Sequence, residues 1–521
     1  MRKTIITLIL LLGFFSLVST LSNTFDGDLG WHLRFGKDAF EGNFQYLDSY
    51  TWGFFGQPWT NHEWGGDLLF WFLYSNFGYF ALVLTASAAV FTAIFLIQKI
   101  WQKETTIISS LILLISASSI SFVLSARLSM LGPIFLAIIL WSLEKIPRKK
   151  TYFIWPIILW LWSMMHGSWI LGFIVINIYL FGNIIYLLFK KYCPKYAGQD
   201  TGWTYRLIIK LLGMEILSGL AVLANPYGIK MWQEILSYFS EGYYKQFITE
   251  WIPSYTYPIY PIPLILGAAC SVFIVWGLIK KRASLAQTLF FLAIFYSAFQ
   301  YKRNNLYLII VCAPILTVVA QMMMNELSRQ PKAGRLMAEK ISAIVLLAAA
   351  ICGIYFYGSK INFEKDIFTN QKILASYGFP YDAVNALKKE TKNKKTYIFN
   401  EFYWGGYLNW TMPDALVYLD GRGTATWRYN DKETMLARYQ KIRFEAGGLA
   451  ELENSPAEYV LLQINTLGYP QPNFANKIIF TSDDFQKIFS TEQPQLEKML
   501  NKSKKWEVIY EDTSSKVWKK T

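Results

Sequence analysis

The stretch "RKTIITLILLLGFFSLVSTLSNTFDGDLGWHLRFG" (residues 2–36) joins a segment suited to lipid directly to one suited to water. An apolar run, Ile5–Leu21, follows two basic residues and hands over to Asp26, Asp28, His32 and Arg34 within nine residues. A bilayer core takes about 20 apolar residues per helix. A basic start and a short apolar core also fit a secretory signal. There is no A-x-A-like cleavage site and the run is long enough to span, so it reads as a retained first helix.

Runs of the same kind recur at Gly78–Ile97, Thr106–Leu124, Tyr152–Met165 and Ser168–Phe189, and continue to about residue 357. The chain is 53% hydrophobic and 17% charged, against about 25% charged in ordinary soluble domains. These features specify an α-helical polytopic membrane protein of about eleven transmembrane helices. Every second connection is basic: 1–3, 98–104, 144–150, 190–196, 280–282 and 329–340. By the positive-inside rule these face the cytoplasm, as does the N-terminus. The connections 23–77, 125–129, 165–168, 225–262 and 300–305 then lie outside, together with the chain after Tyr357.

The expected domains are a membrane part, 1–358, and an extracytoplasmic α/β domain, 359–521. The membrane part carries a long first outer loop (23–77) and a second one (225–262). The first reads as two surface helices joined by "YLDSYTWGFFGQPW", the second as amphipathic and aromatic. In the tail, residues 395–400, 415–420, 458–463 and 506–512 read as strands, and "YDAVNALKKE" and "QLEKMLNKS" as helices. From Lys360 onward the net charge is only +3, so most of the total of +14 sits in the short loops of the membrane part. That distribution marks membrane topology and excludes a nucleic-acid partner. Cys193, Cys270, Cys312 and Cys352 have no metal or redox spacing.

Topology sorts the polar residues onto one face. His32, His62 and His166, the only histidines, fall on the outer side with Asp26, Asp28, Glu63, Arg127, Glu250 and Arg303. A helix from Asp28 puts His32 one turn along on the same face, and Arg34 within reach of Asp38 at i+4. Asp28 reads either as an N-cap or as a carboxylate acting on a substrate. Each cation read alone is an interfacial residue reaching for lipid phosphate; their gathering with carboxylates on one face points to chemistry. In the tail, Glu401, Trp404, Asp420 and Arg422 read first as parts of a structural core with an Asp–Arg pair closing a turn, and otherwise as candidate sugar contacts.

The ordered set D-x-D-x-x-W-H-L-R (26–34), N-H-E-W (61–64), A-R (126–127), H-G (166–167), N-P-Y-G with E-W (225–228, 250–251), W-G-G-Y (404–407) and D-G-R (420–422) resembles the GT-C superfamily of polytopic glycosyltransferases. The resemblance is to a bacterial group within it, and more distantly to the oligosaccharyltransferase catalytic subunit, protein O-mannosyltransferases and aminoarabinose transferases. It implies an integral membrane glycosyltransferase of the plasma (inner) membrane. The enzyme would move a sugar from a polyprenyl-phosphate-linked donor to an extracytoplasmic glycan, lipid or protein acceptor, with the bilayer holding the prenyl chain. Asp26, Asp28 and Glu63 would be the catalytic carboxylates. His32, Arg34, His62, Arg127, His166, Glu250 and Arg303 would face the donor phosphate or substrate, and Asp420 and Arg422 are tail candidates. Superfamily members differ over metal, so a divalent cation (Mg or Mn) held by Asp26, Asp28 and Glu63 stays open. Two other functions compete, a transporter or flippase of a lipid-linked intermediate and a non-catalytic assembly protein. A transporter would carry ionisable residues near the midplane, whereas here they collect at helix ends.

Overall fold

The computed structural model describes residues 2–521 except 103, 121–124, 147, 194–198, 328–334, 465–473 and 485–494. Among the described residues, six helices are long and apolar enough to cross a bilayer: Arg2–Leu21, Tyr79–Trp101, Leu128–Lys145, Gly167–Tyr192, Pro261–Ile279 and Lys302–Met324. Shorter apolar helices run Ile107–Ile120, Thr151–Met165, Leu285–Gln300 and Ala343–Gly358. Six of the expected spans are thus matched by helices of full spanning length and four more by shorter apolar helices. The other, Tyr205–Ala221, forms a helix but carries Arg206, Lys210 and Glu215 and is not among them. Residues 121–124 of the expected third span, and 328–334 of the last basic loop, lie outside the described residues. Ile209, Ile216, Ile265, Val272 and Ile279 are exposed on the helix surfaces, an apolar exterior that suits lipid. Small residues allow tight crossings inside: a Cβ added at Gly182 would come within 2.7 Å of the Ala286 backbone.

The first outer loop folds as expected into two helices. Call the helix Arg2–Leu21 α1, Leu29–Phe40 α2 and Trp64–Phe77 α3. Helices α2 and α3 cross at Gly36, where a Cβ would lie 2.4 Å from the Asp67 carbonyl oxygen. Nothing larger than glycine fits, and the crossing sets His32, one turn earlier, beside the Asp67 side chain.

The tail builds a five-stranded mixed sheet of order β2-β1-β5-β7-β6. Its strands are β1 (Thr396–Asn400), β2 (Ala415–Val417), β5 (Tyr459–Gln463), β6 (Trp506–Glu511) and β7 (Ser515–Lys520); β3 (Arg428–Asn430) and β4 (Glu433–Thr434) form a separate hairpin. Strand β1 pairs parallel with β2 and β5, while β7 is antiparallel to β5 and β6. The sheet does not stop at the tail. Thr51 of the outer loop bridges Val417 in parallel; the Trp52 N–H donates to the Val417 oxygen at 2.8 Å and the Val417 N–H to the Tyr50 oxygen at 3.3 Å. Loop backbone thus covers the open edge of β2, which would otherwise offer unpaired donors and acceptors.

Side chains complete the joint. Arg422 is 3% exposed; its Nη2 donates to Asp48 Oδ1 of the loop at 2.8 Å and to Asp420 Oδ2 at 2.7 Å. The guanidinium lies among the rings of Tyr50, Trp59 and Trp427, 4.3–5.0 Å from their centres. Asp48 also accepts from the Thr51 hydroxyl at 2.5 Å, and Asp420 from the Asn409 amide at 2.8 Å. On α2, a Cβ at Gly30 would lie 2.0 Å from the Gly406 oxygen, and one at Gly406 would lie 2.4 Å from the Gly27 oxygen. The W-G-G-Y and D-G-R motifs therefore seat the tail on the loop.

Removing one partner of a buried ion pair leaves the other charge uncompensated, at about 3–5 kcal/mol. Arg422→Ala is accordingly expected to lower the apparent melting temperature of the full chain in detergent sharply. Arg428→Ala, which breaks a half-exposed pair with Glu241, should change stability by at most about 1 kcal/mol.

Candidate active site at the outer loop

The turn from α1 into α2 is closed by Leu29 N–H to the Asp26 oxygen at 3.2 Å and His32 N–H to the Asp28 oxygen at 3.2 Å. Asp26 is fully engaged. Its Oδ1 accepts the Asp28 N–H at 3.0 Å; its Oδ2 accepts the Ser125 hydroxyl at 3.0 Å and lies 3.0 Å from Arg127 Nε. Arg127 also donates to Glu250. Burial opposes the charges of that pair, yet Asp26 and Glu250 hold the guanidinium above its usual range, while Arg127 and Arg303 hold Glu250 below the usual carboxylate range.

Asp28 differs. Its backbone is already helical (φ −66°, ψ −23°) and its side chain makes no capping hydrogen bond, so the N-cap expectation fails, because a cap needs extended backbone at that residue. Among the described residues its carboxylate accepts no hydrogen bond. Burial, then the neighbouring Asp26, push it up to about 7.

All three histidines turn Nε2 toward one carboxylate. Glu63 lies 3.2 Å from His166, 3.5 Å from His32 and 3.8 Å from His62. Glycines bring this about. Cβ atoms at Gly65 and Gly66 would lie 2.8 Å from Met164 and 2.7 Å from the Met165 oxygen, so α3 starts hard against the helix that ends at His166. A Cβ at Gly167 would lie 2.9 Å from the His62 ring. The Ser168 N–H donates to His166 Nδ1 at 3.0 Å, which leaves the ring proton on Nε2, facing Glu63. Burial pushes Glu63 up to about 7, with His32 opposing.

His32 Nδ1 is 2.5 Å from Asp67 Oδ1, and Asn61 donates to the other Asp67 oxygen at 2.6 Å. Against the cost of burial, Asp67 raises His32 to about 9. Burial, then the cations His32 and Arg303, lower His62 to about 4, and burial and Arg303 take His166 well below its ordinary value. The cluster therefore holds one imidazolium and two neutral imidazoles at pH 7. Arg303 is tied in by its backbone N–H to the Glu250 oxygen at 3.0 Å, and its guanidinium lies 4.3 Å over the Trp251 ring. No ion pair or hydrogen bond of that guanidinium occurs among the described residues.

Asp26, Asp28, His32, His62, Glu63, Arg127, His166, Glu250 and Arg303 thus meet in one cluster. Arg34 does not join it: instead of pairing with Asp38 it donates to the Asn409 and Pro413 oxygens at 3.1 and 2.8 Å and lies over Tyr50, while Asp38 accepts the Tyr50 hydroxyl at 2.6 Å. Asp420 and Arg422 are buried in the joint to the loop, Glu401 pairs with Arg443 at 2.7 Å, and Trp404 is buried. Asn409, which donates to Asp420, is buried as well. The sequence reading passes over Asp67, Asn61 and Glu234, whose Oε1 is 3.9 Å from His62 Nδ1. A signal for Asp67 is present: it is a lone acid in the apolar run "WGGDLLFWFLY", four residues after Glu63. Asp26 is taken up by Arg127 and Ser125 and so does not fit a cation shared with Asp28 and Glu63. Among the described residues no group of three or more His, Cys, Asp or Glu is arranged to hold a metal ion.

No protein-family model and no curated protein matches the chain. Solved structures do. The apo crystal structure of the Archaeoglobus fulgidus oligosaccharyltransferase aligns with TM-score 0.56 at 12% identity, covering 88% of this chain and 69% of that one. The same archaeal enzyme, AglB, in complex with an inhibitory peptide and a dolichol-phosphate gives 0.56 at 11% identity over the same shares. Its complex with Zn and sulfate gives 0.53 at 12%, covering 88% and 68%. At this identity the likeness is one of fold, and it bears out the GT-C-like architecture with a C-terminal α/β domain.

With three histidines in the chain, ring-labelled histidine gives a spectrum of three signals. His32 should titrate near pH 9, His62 near pH 4, and His166 well below the ordinary histidine range. The His32–Asp67 pair contributes stability that is complete below the unfolded value of about 6.5 and fades as pH rises through about 9. Asp67→Asn should bring the His32 midpoint down and remove that pH dependence. A His32 midpoint unchanged in Asp67→Asn would contradict the pairing.

Proposed function

We propose that the chain is a membrane glycosyltransferase that moves a sugar from a polyprenyl-phosphate-linked donor onto an acceptor outside the cytoplasm. One observation carries the reading. The outer-loop carboxylates, every histidine, Arg127 and Arg303 gather in a single cluster at the ends of apolar helices, on the fold of an oligosaccharyltransferase. The complex of that archaeal enzyme with a dolichol-phosphate supports a lipid-linked donor.

The residues suit the parts of such a transfer. The acceptor attacks the anomeric carbon; its bond to that carbon forms as the bond from carbon to phosphate oxygen breaks. Polyprenyl phosphate leaves with the electron pair, and the acceptor proton passes to a base. Asp28 is the carboxylate left without a partner, and a base with a pKa near the working pH is the efficient one. Asp26 serves instead to hold Arg127. The leaving phosphate gains negative charge, which Arg303, His62 and His166 meet with a guanidinium and neutral N–H donors. The apolar exterior of the bundle keeps the prenyl chain in lipid, and the basic loops at the other helix ends support an extracytoplasmic face for the cluster.

Full-length protein reconstituted with a panel of polyprenyl-phosphate sugars and monitored by mass spectrometry tests this. Asp28→Asn should lower transfer by about 10²–10⁴-fold, the scale of a lost general base, and Arg303→Met by about 10²–10³-fold. Turnover of a donor at the wild-type rate by Asp28→Asn would overturn the role of Asp28. Movement of intact donor across the bilayer without bond cleavage would favour a transporter instead.

A further inference from the structure

Gly421 sits between Asp420 and Arg422, whose side chains are fixed in the joint to the outer loop. Its φ is not in the left-handed region, so the backbone there accepts any residue. What a side chain would meet is specific. A Cβ built on Gly421 lies 2.1 Å from Asp28 Oδ1, 2.8 Å from Asp28 Cγ and 2.9 Å from Asp28 Oδ2. These three nearest atoms all belong to one carboxylate. At the neighbouring contacts the obstacle is main chain: the Tyr403 oxygen for Gly27, the Gly406 oxygen for Gly30, the Gly27 oxygen for Gly406. The bare Cα of Gly421 is therefore the wall against which the Asp28 side chain rests.

We infer that Gly421 is a positioning residue for Asp28, so that the C-terminal domain completes the reacting site instead of only covering it. Asp28 accepts no hydrogen bond among the described residues that could set its rotamer. Its direction is set by contact: the α2 turn on one side, Gly421 on the other. The wall is rigid because Asp420 is held by Asn409 and by Arg422, and Arg422 by Asp48. A force on the tail loop thus reaches the carboxylate through van der Waals contact alone. Because a carboxylate can swing where a backbone cannot, a methyl group at 421 displaces Asp28 and leaves the fold in place. The inference rests on the proposed role of Asp28 only for its consequence in turnover, not for the contact itself.

The test therefore has two readouts on the full-length protein in detergent. In the first, carbodiimide labelling of carboxylates is quantified by peptide mass spectrometry in wild type, Gly421→Ala and Gly447→Ala. Gly447 has open space around its Cα and serves as the control. Labelling at Asp28 should change severalfold in Gly421→Ala, with Glu63 and the melting temperature unchanged, and no change is expected in Gly447→Ala. Equal Asp28 labelling in wild type and Gly421→Ala would overturn the inference whatever the reaction is. In the second, Gly421→Ala should lower kcat about 10²-fold, the cost of a misplaced reacting group, with the donor KM kept. In an Asp28→Asn background the same substitution should have no further effect. Loss of activity in Asp28→Asn with full kcat in Gly421→Ala would sink the inference and spare the role of Asp28. A shifted Asp28 label with an active Asp28→Asn would spare the positioning and sink that role.

Discussion

Arg422 is the point on which the two halves of the molecule depend. Its guanidinium satisfies a carboxylate of the outer loop and one of the tail while three aromatic rings exclude water around it. Charges so placed are costly unless each finds its partner. Asp48 and Asp420 cannot move apart without stranding Arg422. The extension of β2 by Tyr50–Trp52 and the glycine contacts of α2 with Gly405–Thr411 act in the same direction. Loop and tail therefore form one rigid body, and it is that body which carries Asp26, Asp28 and Glu63 over the ends of the helices.

Such rigidity matters to the polar cluster because nearly every member of it is short of water. Five carboxylates, three imidazoles and two guanidiniums share the space, and burial alone would neutralise many of them. The arrangement avoids this by division of labour. Asp26 and Glu250 neutralise Arg127, and Asp67 neutralises His32. Asp28 and Arg303 are left without a direct ion-pair partner, Glu63 has only a share of His32, and His62 and His166 stay neutral. Groups kept in that state can exchange a proton or receive an anion at little reorganisation cost. A network of satisfied pairs fixes the geometry, and the unsatisfied remainder has the chemistry.

Much of this was legible in the sequence, because hydropathy and helical period are local properties. Six helices of spanning length and four shorter apolar ones, the two helices of the outer loop and four of the five strands of the tail sheet appear where their patterns put them. Strand β7, "SKVWKK", escapes a hydropathy reading because its only apolar residues, the buried pair Val517 and Trp518, are flanked by three lysines within six residues. The gathering of the histidines follows from topology, since alternation of the basic loops puts all three at one level. What eluded sequence reasoning is set by tertiary contact. Arg34 leaves Asp38 for carbonyls nearly four hundred residues away, and Asp28 is helical where a cap would be extended. Asp67 reads as an accident in an apolar helix until Gly36 is seen to bring His32 against it. The D-G-R motif reads as an Asp–Arg pair closing a turn, which it is, but that it also places a bare Cα against a carboxylate is set by the fold.

The central claim is that this cluster is where a lipid-linked phosphate meets the acceptor. The most direct measurement is an electron cryomicroscopy structure of the full chain with a bound polyprenyl phosphate. The account predicts phosphate density within hydrogen-bonding distance of Arg303 and His166 and beside Asp28, with the prenyl chain leaving between helices into the bilayer. Phosphate bound at the opposite, lysine-rich end of the helices, with the outer cluster unchanged, would contradict it.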